Sequence, residues 1–183
     1  MAVATPVCDF GWQAPDFTLK NVDGKVTSLA DITGENATLV MFICNHCPYV
    51  KSILDRIIRG AAELQALGVG VVAINANDAA DYPEDSFEAM QEIATAKGFS
   101  FPYLHDETQA VARVYGAACT PDFFGFDVKG GLQYRGRLDA SGRVAIKDAR
   151  RDLFLAMKQV VETGKGPVEQ VASMGCSIKW KST

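Results

Sequence analysis

The residues of this chain best placed to do chemistry are Cys44-Asn45-His46-Cys47-Pro48, two thiols three positions apart with a proline directly behind the second. They sit where an apolar run, Ala37 to Ile43, meets an amphipathic run from Val50 to Leu67. The N-terminus of a helix presents unpaired N–H groups and roughly half a positive charge. That field stabilises a thiolate, the reactive form of cysteine. Proline suits the first helical position because its missing N–H would have had no partner there. Pro48 is therefore expected to start a helix, with Cys47 at its cap as the nucleophile. Cys44, expected on the exposed entry loop, is the favoured second thiol, since closing so short a ring costs little chain entropy. The opposing argument is geometric: a Cys44 still belonging to the strand would point into the core and miss the Cys47 sulfur. His46, as a cation beside Cys47, would lower the thiol pKa and could donate a proton. Its plainer reading is a solvent-facing loop residue.

The elements that must position these residues are legible in outline. Asp16–Lys20 and Val26–Ser28 flank the turn Val22-Asp23-Gly24-Lys25, a hairpin signal. Ala37 to Ile43 reads as a central buried strand. Val50, Leu54, Ile57, Ile58, Ala61 and Leu64 follow at helical spacing, and Gly68 ends that helix. Val69 to Asn75 is a second buried strand, Ser86 to Lys97 a helix, Phe101 to Leu104 a short extended piece, and Thr108 to Tyr115 a short helix. Phe123 to Asp127 and Leu132 to Arg137 form a second hairpin, Asp148 to Thr163 is a last helix, and residues 164–183 are a tail. The expected fold is α/β: a central mixed sheet flanked by helices, with an N-terminal β-hairpin, all in a single domain spanning 1–183.

Composition bounds the function. The chain has 183 residues, is 48% apolar and 22% charged, and carries a net charge of −4. It has no Lys/Arg block, so a nucleic-acid footprint is not expected. Its apolar runs are far too short to span a bilayer, and its first residues lack the basic and apolar regions of a secretory signal. Five cysteines, an odd number, do not make a disulfide scaffold and are expected to stay reduced in the cytoplasm.

The segments Gly11–Leu19, Phe42–Tyr49, Tyr82–Phe87, Cys119–Phe124 and Tyr134–Gly136 resemble the thioredoxin-like superfamily. More narrowly, they resemble a peroxiredoxin-like branch of the alkyl hydroperoxide reductase/thiol-specific antioxidant (redoxin) family. The match covers roughly residues 11–163. It implies a thioredoxin-like fold and thiol chemistry without a cofactor, supported by an external reductant such as thioredoxin or glutathione. It also implies that Thr120-Pro121 is a cis-proline loop facing the nucleophile and binding extended substrate backbone. Cys119, two positions before Pro121, becomes a second candidate partner for Cys47. The chain departs from the family patterns in three places. Cys47 takes the first position of the thioredoxin Cys-x-x-Cys and Val50 the second. Cys44 stands where peroxiredoxins carry a threonine. Pro121 stands about where their peroxide-steadying arginine falls.

The favoured function is thus a thiol-based oxidoreductase, with disulfide exchange ahead of peroxide reduction. Two alternatives come from other classes. One is a copper-type metal-binding module drawing on Cys44, His46, Cys47 and Cys119, although no second Cys-x-x-Cys supports a closed zinc site. The other is a redox-inactive binding protein on the same scaffold. Cys176 is a minor candidate that would have to fold back to the site. Cys8 is expected at a frayed terminus, and Trp180 as a packing anchor for the tail.

Overall fold

The computed structural model describes residues 1–182. Its centre is a seven-stranded mixed sheet. In chain order the relevant elements are β2 (Thr18–Asn21), β3 (Val26–Ser28), α1 (Leu29–Ile32), β4 (Ala37–Phe42), α2 (Pro48–Lys51), α3 (Leu54–Ala66), β5 (Val69–Asn75), α4 (Phe87–Lys97), β6 (Tyr103–His105), α5 (Ala110–Tyr115), β8 (Asp122–Phe126), β9 (Leu132–Tyr134) and α6 (Asp152–Thr163). The strand order is β3-β2-β6-β5-β4-β8-β9. Strands β4, β5 and β6 run parallel, and the two outer hairpins are antiparallel. The expected N-terminal hairpin is β2–β3.

β4 explains why Ala37 to Phe42 reads as an unbroken apolar run. All six residues are buried, and alternate side chains serve opposite faces. Leu39 and Met41 pack with Ile57, Leu64, Met90 and Leu153 under α3, α4 and α6. Val40 and Phe42 pack with Tyr115, Phe124 and Phe126 under α1 and α5. A strand covered on both faces loses the polar–apolar alternation of a surface strand. Among the described residues, no helix is long and apolar enough to cross a membrane.

Three features depart from the sequence reading. The helix after Cys47 is broken at Ser52-Ile53, and the Ser52 hydroxyl donates to the Gly142 carbonyl at 2.6 Å. The last helix begins at Asp152, not Asp148, because the preceding segment is tied down elsewhere. Arg56 donates to Asp139, Ser141 and the Ile146 carbonyl, and Asp148 itself lies at φ 56°, outside helical backbone.

The third departure matters most for function. The tail forms a strand, β10 (Met174–Ser177), which lies between β1 (Ala2–Ala4) and β7 (Cys119–Thr120) in a small second sheet of order β1-β10-β7. Neither β1 nor β10 was expected. The two ends of the chain are joined further by Thr5 N–H to the Ser173 carbonyl at 2.9 Å and Ser177 N–H to the Met1 carbonyl at 3.1 Å. Beyond β10, Ile178 is buried, and Trp180 packs against the Arg113 guanidinium at 4.4 Å. Cys8 is not at a frayed end: it is partly buried and packs against the apolar cluster that contains Phe124 and Phe126.

Candidate active site

Cys47 occupies the N-cap of α2, with Pro48 at the first helical position, where the residue order places it. Its side chain is 0% exposed. The Cys47 thiol points at the loop before Pro121, with Sγ 3.2 Å from the Thr120 carbonyl. The Thr120-Pro121 bond is cis, as the resemblance implies. Burial alone would push a thiol up. Here it is outweighed by donors, the largest being the Cys44 thiol, followed by the Cys176 thiol, the Cys176 N–H and the Val50 N–H. They hold Cys47 well below its ordinary value of 9.0. The helix start contributes through the Val50 amide, and neighbouring sulfur contributes more.

Cys44 is not on an exposed loop. It is 2% exposed, and its Sγ lies 3.2 Å from the Thr120 hydroxyl. Its thiol is raised well above 9.0, first because it donates to Cys47, then through burial and the nearby Asp85 carboxylate. The acidities of the two thiols are therefore pushed in opposite directions, Cys44 up and Cys47 down.

His46 turns to a different partner from the one expected. Its Nδ1 pairs with the Asp85 carboxylate, and its ring stacks on Tyr82 at 5.1 Å and 15°. Asp85 is fully buried and organises the whole Cys44–Cys47 loop. It accepts the Asn45 N–H at 2.6 Å and the Asn77 side-chain amide at 2.8 Å, with Asn75 at 3.5 Å. Asn45 is held in turn by the Tyr103 hydroxyl at 2.8 Å and donates to the Glu84 carbonyl at 2.8 Å. Asp85 lies within the segment Tyr82–Phe87, which in sequence reads as the entry to the next helix. Its carboxylate instead fixes a loop forty residues earlier.

The register of the small sheet sorts the remaining thiols. Cys176 pairs with Thr120, and Ser177 with Cys119. Directly opposed residues share a face, and successive residues alternate. Thr120 and Cys176 therefore face Cys44 and Cys47, and Cys176 packs against the cluster that contains both. Cys119 faces the other way and donates to the Pro121 carbonyl at 3.4 Å, and burial pushes its thiol far up. The structure thus brings together Cys44, Cys47, Thr120, Pro121 and Cys176. It sets Cys119 on the opposite face and gives His46 to Asp85. Sequence reasoning underweighted Cys176, and the available signal was a cysteine after a glycine in an extended tail.

Arg135 and Arg137 are committed elsewhere. Arg135 is buried against Asp122 at 3.0 Å and over the Phe124 ring, and Arg137 pairs with Asp152 at 2.7 Å. Candidate metal ligands of mixed character also gather near the site: Cys44 Sγ, one His46 ring nitrogen and an Asp85 oxygen lie within 4.8 Å of one another.

A model of the AhpC/TSA family matches residues 10–135. The structure of an uncharacterized conserved protein from Geobacillus kaustophilus superposes with a TM-score of 0.94 at 47% identity, covering 100% of this chain and 98% of that one. A hypothetical protein from Sinorhizobium meliloti superposes with a TM-score of 0.93 at 39% identity, covering 98% of both chains. The thioredoxin-like protein YneN of Bacillus subtilis is 29% identical over 125 residues, 67% of this chain and 68% of that protein. The solved thioredoxin domain of a thiol-disulfide oxidoreductase from Bacteroides vulgatus shares the fold, with a TM-score of 0.62 at 17% identity, covering 83% of this chain and 97% of that one.

Proposed function

Because the chain belongs to the AhpC/TSA family of thioredoxin-like proteins, we propose that it is a thiol-based oxidoreductase whose nucleophile is the Cys47 thiolate. The observation that carries this reading is a helix-capping sulfur that faces a cis-proline loop, 3.2 Å from the Thr120 carbonyl. In disulfide exchange, Cys47 attacks one substrate sulfur. The substrate S–S bond breaks, and the departing half leaves as a thiol once protonated. Cys44 then gives up its proton and attacks the Cys47 sulfur. This forms the Cys44–Cys47 disulfide and releases the second half of the substrate. An external thiol donor such as thioredoxin or glutathione returns both cysteines to the reduced state, in the reducing cytoplasm and without a cofactor. With a hydroperoxide, Cys47 would be oxidised to the sulfenic acid, releasing an alcohol, and condensation with Cys44 would release water.

Disulfide exchange is favoured because the family resemblance puts a peroxidase arginine about where Pro121 stands, and the arginines downstream are paired with Asp122 and Asp152. The test is glutathione-coupled reduction of a small aromatic disulfide. Wild type and Cys8→Ser turn over, and Cys47→Ser does not. Retained turnover in Cys47→Ser would sink the reading. Turnover of a hydroperoxide but not of the disulfide would reverse the ranking. A Cys47 that reacts no faster than a free thiol would favour a redox-inactive binding protein.

A copper-type metal-binding module is the second reading, supported by the closeness of Cys44, His46 and Asp85. That set differs from the one read in sequence: Asp85 enters, and Cys119 faces away. Stoichiometric copper in protein prepared without chelator would support it.

A further inference from the structure

We propose that β10 is an internal substrate: it occupies the edge at which an extended, cysteine-bearing polypeptide pairs with the residues before Pro121, and it presents Cys176 to Cys47 as that polypeptide's sulfur. The inference rests on Cys47 being the nucleophile and adds what it acts upon. β7 and the cis-proline it leads into offer one strand edge beside Cys47, and β10 already pairs there in antiparallel register. Adding a strand to an exposed edge is a general way to bind extended peptide: the backbone gives affinity and alternate side chains give specificity. The approach is close. A Cβ on Gly175 would lie 2.0 Å from the Thr120 carbonyl oxygen and 3.0 Å from the Pro121 nitrogen. In that register the alternation turns Cys176, and not its neighbours, toward Cys47.

The surroundings agree. Cys47 is 0% exposed, so an external reagent reaches it only when the structure around it opens, and β10 is part of that cover. Cys44 lies inward at 2% exposure, and Cys176 is partly exposed on β10, the middle strand of the small sheet. The three sulfurs thus stand in the order of a displacement, with a substrate-side thiol, the central nucleophile and an inner resolving thiol.

The chemistry balances without a further oxidant. In the oxidised protein, Cys176 loses its proton and attacks the Cys47 sulfur of the Cys44–Cys47 disulfide. The Cys47–Cys176 bond forms, and Cys44 leaves as a thiolate and takes a proton. An external extended polypeptide would react in the same way after displacing β10.

The test starts from Cys44→Ser, which removes the resolving thiol. One equivalent of dithiodipyridine should give a Cys47–Cys176 disulfide in the peptide map. In Cys44→Ser/Cys176→Ser, the pyridyl group should instead remain on Cys47. Gly175→Val in the Cys44→Ser background then displaces the strand. A synthetic peptide of the sequence Met174–Trp180, carrying its cysteine as a pyridyl disulfide, should couple to Cys47 about tenfold faster there than with the tail in place. The proposal is overturned if Cys44→Ser keeps the pyridyl group on Cys47 with Cys176 free, or if displacing the strand leaves the peptide rate unchanged. A Cys47 that takes up no reagent in any variant defeats the nucleophile assignment itself.

Discussion

At the scale of single residues, the thiolate of Cys47 is favoured mainly by other sulfur atoms and by two amides, with no full positive charge among its main supports. This arrangement has a direct consequence. Cys44→Ala removes the largest support, so the Cys47 pKa should climb back toward 9.0, read from thiolate absorbance against a Cys47→Ser baseline. His46→Ala should leave that titration nearly unmoved, because the ring is engaged by Asp85 and Tyr82. Asp85→Ala should lower stability instead, since it strands the buried Asn45 N–H and Asn77 amide. Each donor left without a partner costs about 1–3 kcal/mol, measurable by urea unfolding. The place of Cys47 at the helix cap was legible in sequence because helix capping is local: Cys, Pro and the following apolar spacing suffice. The Asp85 hub was not, because nothing near Asp85 in the chain reveals that its carboxylate caps a distant loop amide.

At the scale of elements, β4, β5, α3 and both hairpins were readable because their burial patterns are properties of contiguous residues. Boundaries failed where tertiary ties overrode local propensity. The start of α6 is delayed by the segment bound to Arg56, and the break between α2 and α3 coincides with the Ser52 tie to Gly142. The connection from α1 into β4 shows the same dominance of packing. A Cβ on Gly70 would stand 1.8 Å from the Ile32 carbonyl oxygen and 2.6 Å from the Gly34 nitrogen. Both are backbone atoms that cannot rotate away. Gly70→Ala should therefore cost roughly 1–3 kcal/mol, the usual range for overpacking, seen as a lowered unfolding midpoint with the fold retained.

At the scale of the whole molecule, the split acidities give stability a characteristic pH dependence. The folded Cys47 pKa lies below its unfolded value of 9.0, so between the two the unfolded chain binds more protons and stability rises with pH. Cys8 and Cys176 are raised to about 11, and Cys44 and Cys119 are also raised. Above 9.0 the folded state keeps protons that the unfolded chain has lost, so stability falls. Denaturant midpoints should therefore rise through the acidic and neutral range and decline above about pH 9. In Cys47→Ser the rising limb should flatten while the decline persists. A wild-type profile flat across the neutral range would contradict the Cys47 assignment.

The seam between the two ends of the chain carries one more consequence. Ala2–Ala4 meets Met174–Cys176 across almost the full length of the sequence, and pairings that distant pay the largest loop-closure entropy and form late. A molecule refolding from denaturant can thus complete its seven-stranded sheet while Cys47 is still bare. In that interval, dissolved oxygen and neighbouring chains compete for the sulfur, so the yield of monomer should depend on how much reductant is present during the final closure.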